Sequence, residues 1–200
     1  MSAKANGRKT AVYVILILAA VVVVLAVTTM ALFAAVDKSA VTEGSNGETS
    51  VSALNIDDSE EYAEALFVCA VTDINDSGAV VKLLEAMKFE ENAGKYTAQI
   101  STADGGSVLD LKLSDVIKKE DREIFDENMK LCAQQMLALI PGIETVQWRY
   151  SVDTGSSSQE ESKVSLSAEG ATEELGSDVR TFGESAEQFQ TLLSKQKNAE

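Results

Sequence analysis

The longest apolar run in the chain lies near its start. Ala11 to Val36 carry no charge and are nearly all Ala, Val, Leu and Ile. As a helix at roughly 1.5 Å per residue the run covers about 39 Å, more than the roughly 30 Å hydrocarbon core of a bilayer. It predicts a transmembrane helix over 11–36. Lys4, Arg8 and Lys9 precede the run with no acidic neighbour, so residues 1–10 form a basic cytoplasmic N-terminus and the remainder is exported. A cleaved signal peptide is the rival, with Thr29-Met30-Ala31 as its small-x-small site. Its apolar region would extend only about 7–15 residues.

Beyond the run the pattern changes several times. Residues 37–60 show no apolar period and are rich in Ser, Gly and acid, which predicts a flexible tether. An extracytoplasmic domain over 61–200 follows. "ALFVCAV" (65–71) is apolar on both faces, as a central strand would be. "AVVKLLEAM" places Val80, Leu83, Leu84 and Met87 on one helical stripe, with Asp76 or Ser77 as N-cap. Tyr96, Ala98 and Ile100, then Leu109, Leu111 and Leu113, alternate with polar residues on either side of "ADGG", a hairpin signal. From Glu120 to Leu139 the apolar positions Phe125, Met129, Cys132, Met136 and Leu139 mark a long amphipathic helix.

Pro141 is the only proline in the chain. Proline cannot continue a helix and glycine accepts a left-handed exit, so Pro141-Gly142 ends that helix and releases the next strand. There Val146, Trp148, Tyr150 and Val152 alternate with Thr145, Gln147, Arg149 and Ser151. A short strand around Val164 and Leu166 follows. Two helical pieces then carry Leu175, and Phe182, Phe189, Leu192 and Leu193. The predicted class is α+β: a two-layer antiparallel sheet of split βαβ (ferredoxin-like) plan, with the C-terminal helix covering the second face of strand 65–71.

Charge and composition narrow the functions. Three of the 17 Lys+Arg precede the span and all 32 Asp+Glu follow it, so the part beyond residue 36 has a net charge of −18. Such a surface repels phosphate backbones and excludes nucleic acid as a natural partner. The chain has no histidine, which removes Ser-His-Asp and Cys-His catalysis and histidine-ligated zinc. Cys69 and Cys132 both fall in apolar segments. Buried free thiols and a single bridge between them are both compatible with the sequence, whereas a catalytic thiol lacks an activating base.

"DINDSG" (73–78) opens like a calcium loop with Asp73, Asn75 and Ser77, but its twelfth position is Leu84 where a bidentate Glu belongs. Helix capping accounts for it better. Asn75-Asp76-Ser77 also matches a glycosylation sequon. The acidic pairs Asp57-Asp58, Glu60-Glu61, Glu90-Glu91, Glu160-Glu161 and Glu173-Glu174 fall in tethers, loops and helix starts, which predicts solvated carboxylates. Asp110 and Lys112, with Thr145, Gln147 and Arg149, occupy the polar faces of their strands, where a ligand or partner can bind. No residue is assigned as catalytic, as a cofactor contact or as a metal ligand.

The run from "DINDSGAVVKLLEAM" through "ALIPGIETVQW" to "LGSDVRTFGESAEQFQTLL" resembles an uncharacterised extracytoplasmic domain family of Gram-positive bacteria. Leu139, Ile140, Ile143 and Val146 match its helix-to-strand junction, and Gly176, Asp178 and Arg180 match a stretch near its end. Asn75-Asp76-Ser77-Gly78 keeps the aspartate of its first turn. The family's Pro-Tyr-Gly element is replaced here by "DGGSV". Members occur as single-span membrane proteins and as the outer C-terminal part of antirepressor-type membrane metallopeptidases. The resemblance implies an envelope location and no established activity. This chain has no His-Glu-x-x-His peptidase portion.

Together these readings predict a single-pass cell-membrane protein, N-terminus inside, anchored in lipid through 11–36. Its outer domain binds or senses another envelope protein or a small ligand without catalysis. The alternatives are a carboxylate-dependent enzyme and a structural interaction module without a ligand.

Overall fold

The computed structural model describes residues 51–103, 106–155 and 159–199. The basic N-terminus, the predicted span over 11–36 and residues 37–50 of the predicted tether lie outside the described residues. Among the described residues no helix is long and apolar enough to cross a membrane.

Three helices come first: α1 (Glu60–Val68), α2 (Ser77–Ala86) and the short α3 (Phe89–Ala93). Strands β1 (Tyr96–Ala103) and β2 (Gly106–Lys118) form the predicted hairpin, and α4 (Arg122–Leu139) is the predicted long helix. Strands β3 (Thr145–Asp153) and β4 (Gln159–Ser167) form a second antiparallel pair. Helix α5 (Ala168–Leu175), a 3-10 turn (Val179–Gly183) and α6 (Ala186–Lys197) end the described fold.

The fold is α+β, as the pattern predicted, but the split βαβ plan does not hold. Residues 65–71 are not a strand. Ser59 accepts the Tyr62 N–H, Glu60 and Glu61 fill the first turn, and helix α1 runs to Val68. Helix-forming Glu, Ala and Leu dominate this stretch, and acidic side chains suit the positive end of the helix dipole. The run looked two-faced because its apolar residues are split. Leu66 is fully buried while Val68 is 83% exposed.

Without that strand the sheet has four strands in the order β1-β2-β3-β4. It is mixed, because β2 and β3 at its centre are parallel neighbours joined through α4. Two residues are extra on β2 between Lys112 and Val116. An even insertion keeps the faces in phase, so Ile117 returns to the core.

One face of the sheet carries the core. Leu109, Leu111, Leu113 and Ile117 on β2 and Val146, Trp148, Tyr150 and Val152 on β3 are buried. Helix α4 packs on β2, β3 and β4, and its other side meets the 3-10 turn, α5 and α6. The stripe read from the sequence is therefore only part of its buried surface: every residue from Leu131 to Ile140 is buried. That burial includes Gln134 and Gln135, which are satisfied internally. Gln135 Nε2 donates to Gln196 Oε1 (2.8 Å) and Gln196 Nε2 donates to Gln134 Oε1 (2.9 Å) and to the Leu131 carbonyl (3.0 Å). This amide network fastens α6 onto α4.

The distal part of the predicted tether belongs to the folded unit. Ile56 is buried, Val51 and Leu54 pack on the core, and the Asn128 side chain bonds both Leu54 N and the Ser52 carbonyl. Asp58 accepts from Lys197 Nζ (2.6 Å) and from Ser194 Oγ (3.2 Å). The polar composition concealed three well-spaced apolar anchors.

Pro141 and Gly142 separate α4 from β3 as expected, but without a left-handed residue. The left-handed glycines among the described residues are Gly94, Gly106, Gly155 and Gly176. At Gly142 a Cβ would instead press on Ile74.

Candidate functional site: the open face of the sheet

Helices cover one side of the sheet, so alternation along each strand delivers the remaining side chains to the other. In register, Gln99, Asp110, Gln147 and Ser165 form one row across all four strands. The next row is Thr97, Lys112, Arg149 and Lys163. Ser101, Val108, Thr145 and Ser167 form a third. Hydroxyls and amides surround a line of three cations.

Neighbouring strands lie about 4.8 Å apart, so Lys112 and Lys163 flank Arg149 with roughly 10 Å between their backbones. Like charges directly opposite each other in a sheet repel. One counter-charge is built in. Arg149 Nε donates to Asp110 Oδ1 (3.1 Å) and Nη2 to Asp110 Oδ2 (2.7 Å), a two-point contact that fixes the guanidinium plane. The Arg149 and Asp110 side chains are 34% and 20% exposed, so water still competes for the pair. Lys112 and Lys163 are exposed and make no ion pair among the described residues. Of the other acids on this face, Glu161 lies in the next row, two residues from Lys163 on β4, and Asp153 sits toward the far end of the strands. With Asp110 and Glu161 one row to either side, the three cations keep a surplus of one positive charge, in a chain of net charge −15.

All five polar-face residues read from the sequence, Asp110, Lys112, Thr145, Gln147 and Arg149, therefore meet on one surface. The sequence reading missed Lys163, Ser165 and Ser167. Their signal was the alternation with Ser162, Val164 and Leu166, which sit on the opposite face of β4.

A second polar cluster lies between α4 and β4. Trp148 Nε1 donates to Asp126 Oδ1 (3.0 Å), Arg122 Nη2 donates to Ser162 Oγ (3.2 Å), and Lys130 pairs with Glu127 (2.8 Å) and approaches Glu174 (3.9 Å). The Tyr150 hydroxyl is buried beside Asp126 and Ser162 without a well-directed hydrogen bond to either. Burial raises its pKa. These carboxylates line an open groove, and their closest cations and the indole occupy them.

Other residues singled out from the sequence have structural roles. Asp76 caps α2 through the Ala79 N–H, and Asp73 accepts from the Asn75 backbone and side chain. Among the described residues no group of three or more metal-ligating side chains is assembled. Cys69 and Cys132 are separate free thiols, and burial pushes Cys132 up to about 12. Gly176 ends α5 in the left-handed region, while Asp178 accepts the Arg180 N–H. Arg180 Nη2 donates to the Ile143 carbonyl (2.8 Å) and pairs with Glu144 (2.9 Å).

Comparison of the chain with protein-family models, with curated proteins and with solved structures gave no match.

Proposed function

We propose that the chain is a recognition module, tethered to the membrane by residues 11–36, whose outer domain binds through the open face of its sheet. The observation that carries this reading is the line Lys112, Arg149, Lys163 across three strands of an otherwise acidic chain. A line of like charges on a structural face raises the energy of the fold. A ligand with anionic groups removes that repulsion, and the surrounding Gln and Ser/Thr side chains supply hydrogen bonds. The face is flat and partly wet, so it suits an envelope protein or an extended ligand better than a substrate that must be shielded from water. The envelope location and the family resemblance fit this reading and belong to the proposal.

The test is crosslinking of the full chain in its native membranes, with a photoreactive group at Gln147. The expected result is a discrete adduct that weakens at high salt, because exposed charges are screened over about 8–10 Å. The adduct is lost in the double variant Lys112→Gln, Lys163→Gln and kept in Lys82→Gln, which removes a cation on α2. An adduct indifferent to salt and to both lysines refutes the reading.

A further inference from the structure

We infer that β1 is a dimerisation edge, pairing antiparallel with β1 of a second copy to give one eight-stranded sheet.

The two edges of the sheet are unlike. Strand β4, at one end, carries Glu160, Glu161 and Lys163, the kind of charge that blunts an edge against further pairing. Strand β1, at the other end, reads YTAQISTA. It is the only helix or strand among the described residues without a charged side chain. It also lacks proline and pairs with β2 in unbroken register over eight residues.

The ladder fixes which groups are free. Ser114 N donates to the Lys95 carbonyl (2.8 Å), so the odd-numbered residues of β1 face β2. By the alternation of an antiparallel pair, the N–H and C=O of Tyr96, Ala98, Ile100 and Thr102 point outward. Among the described residues none of them has a hydrogen-bond partner.

Charge chooses the occupant. Two copies of net charge −15 repel wherever their acidic elements meet, and β1 brings no charge of its own to a seam. The strand is also self-complementary. A two-fold axis through Gln99, normal to the sheet, keeps each face on its own side. It pairs Ala98 with Ile100 and Tyr96 with Thr102 of the other copy, which satisfies all four outward residues. On the helix side this covers the half-exposed Ile100 and the exposed Ala98. There Tyr96 and Ala98 also wall a groove of about 700 Å³ with Val81, Leu84 and Phe89, whose charged lining is Glu85, Lys88, Glu90 and Glu91. On the open side it joins the two polar faces into one surface.

The axis predicts a specific crosslinking pattern. Gln99 meets its own copy in a non-hydrogen-bonded pair, where Cα atoms are about 4.5 Å apart, within disulfide range. Full-length Gln99→Cys, with Cys69→Ser, is oxidised in membranes. Expected is a disulfide adduct of twice the chain mass. Thr97→Cys and Ser101→Cys give the adduct when co-expressed and not singly, since each faces the other across the axis. Gln99→Lys sets two cations on the axis and is expected to lower the dimer fraction in detergent at least tenfold, while Thr72→Lys leaves it unchanged. A monomer from Gln99→Cys, an adduct with a different protein, or single-variant adducts as strong as the mixed pair each overturn the inference.

Discussion

Replacing Gln196 should loosen the attachment of α6 far more than its place near the C-terminus suggests. The residue is 2% exposed and supplies one acceptor and two donor contacts inside the helix layer. Gln196→Met keeps most of the volume but strands Gln135 Nε2 and Gln134 Oε1, both on side chains that are 4% exposed. A buried polar group left without a partner costs about 1–3 kcal/mol. The groove lined by Asn128, Leu131 and Gln196 lets water reach part of the site, so about 2–4 kcal/mol in total is expected. With a urea slope of roughly 1–3 kcal/mol per molar, the midpoint falls by about 1–2 M in a fragment from Thr49 onward, which contains every core residue among the described residues. The double variant Gln135→Met, Gln196→Met removes donor and acceptor together. It should be less destabilised than the sum of the two single variants, with a coupling of about 1–2 kcal/mol. A Gln196→Met stability within about 0.5 kcal/mol of the parent, or strict additivity, refutes the network as a structural clasp.

Other consequences of the packing are open to simpler measurements. The Lys197 hydrogen bond holds Asp58 below the usual carboxylate value of 3.8, and the same contact holds Lys197 above 10.5. A depressed acid contributes stability above its unfolded pKa and loses it as pH falls through the folded one, while a raised base loses its share as pH rises through its folded value. Asp58→Asn should therefore flatten both the acid limb below pH 4 and the alkaline limb above 10.5 of a stability profile, and an unchanged profile would reject the pair. Titration with a thiol reagent at pH 8 should find Cys69 in the native chain and both cysteines after denaturation. A denatured count of zero would mean a bridge. Gly183 sits so close to the Ala138 carbonyl that a Cβ would overlap it. Gly183→Ala should cost about 1–3 kcal/mol by forcing the 3-10 turn off α4, a loss that urea unfolding would detect.

Periodicity carried most of the element boundaries. The stripes of α2 and α4 and the alternation of β1, β2 and β3 could be read because each element buries one side, which forces a period of 3.6 or 2 on its apolar residues. Residues 65–71 show the limit of that logic. A run of seven apolar residues is compatible with a buried strand or with a short helix, and periodicity does not separate them. The deciding information lay upstream, in Ser59-Glu60-Glu61, which nucleates a helix before the apolar run begins. The stripe read on α4 left out its buried glutamines for a related reason. Polar residues on a helix imply water only when nothing in the fold can satisfy them, and the partner here, Gln196, is 61 positions away from Gln135.

The candidate site was half legible for a topological reason. Each strand announces its own polar face by alternation, so Asp110, Lys112, Thr145, Gln147 and Arg149 could be assigned to faces one strand at a time. Which faces join is decided elsewhere. Within each hairpin the short turn fixes the neighbours, but β2 and β3 are neighbours only because α4 carries the chain back to start β3 alongside β2. That parallel pairing puts Lys112 beside Arg149, and β4 then brings Lys163 against the other side. Had β3 paired antiparallel to β2, Arg149 would have faced other residues, with its charge matched or isolated. The cationic row thus belongs to the crossover rather than to any strand, and a shift of β2 against β3 by two residues would disperse it while leaving every core side chain on the buried face.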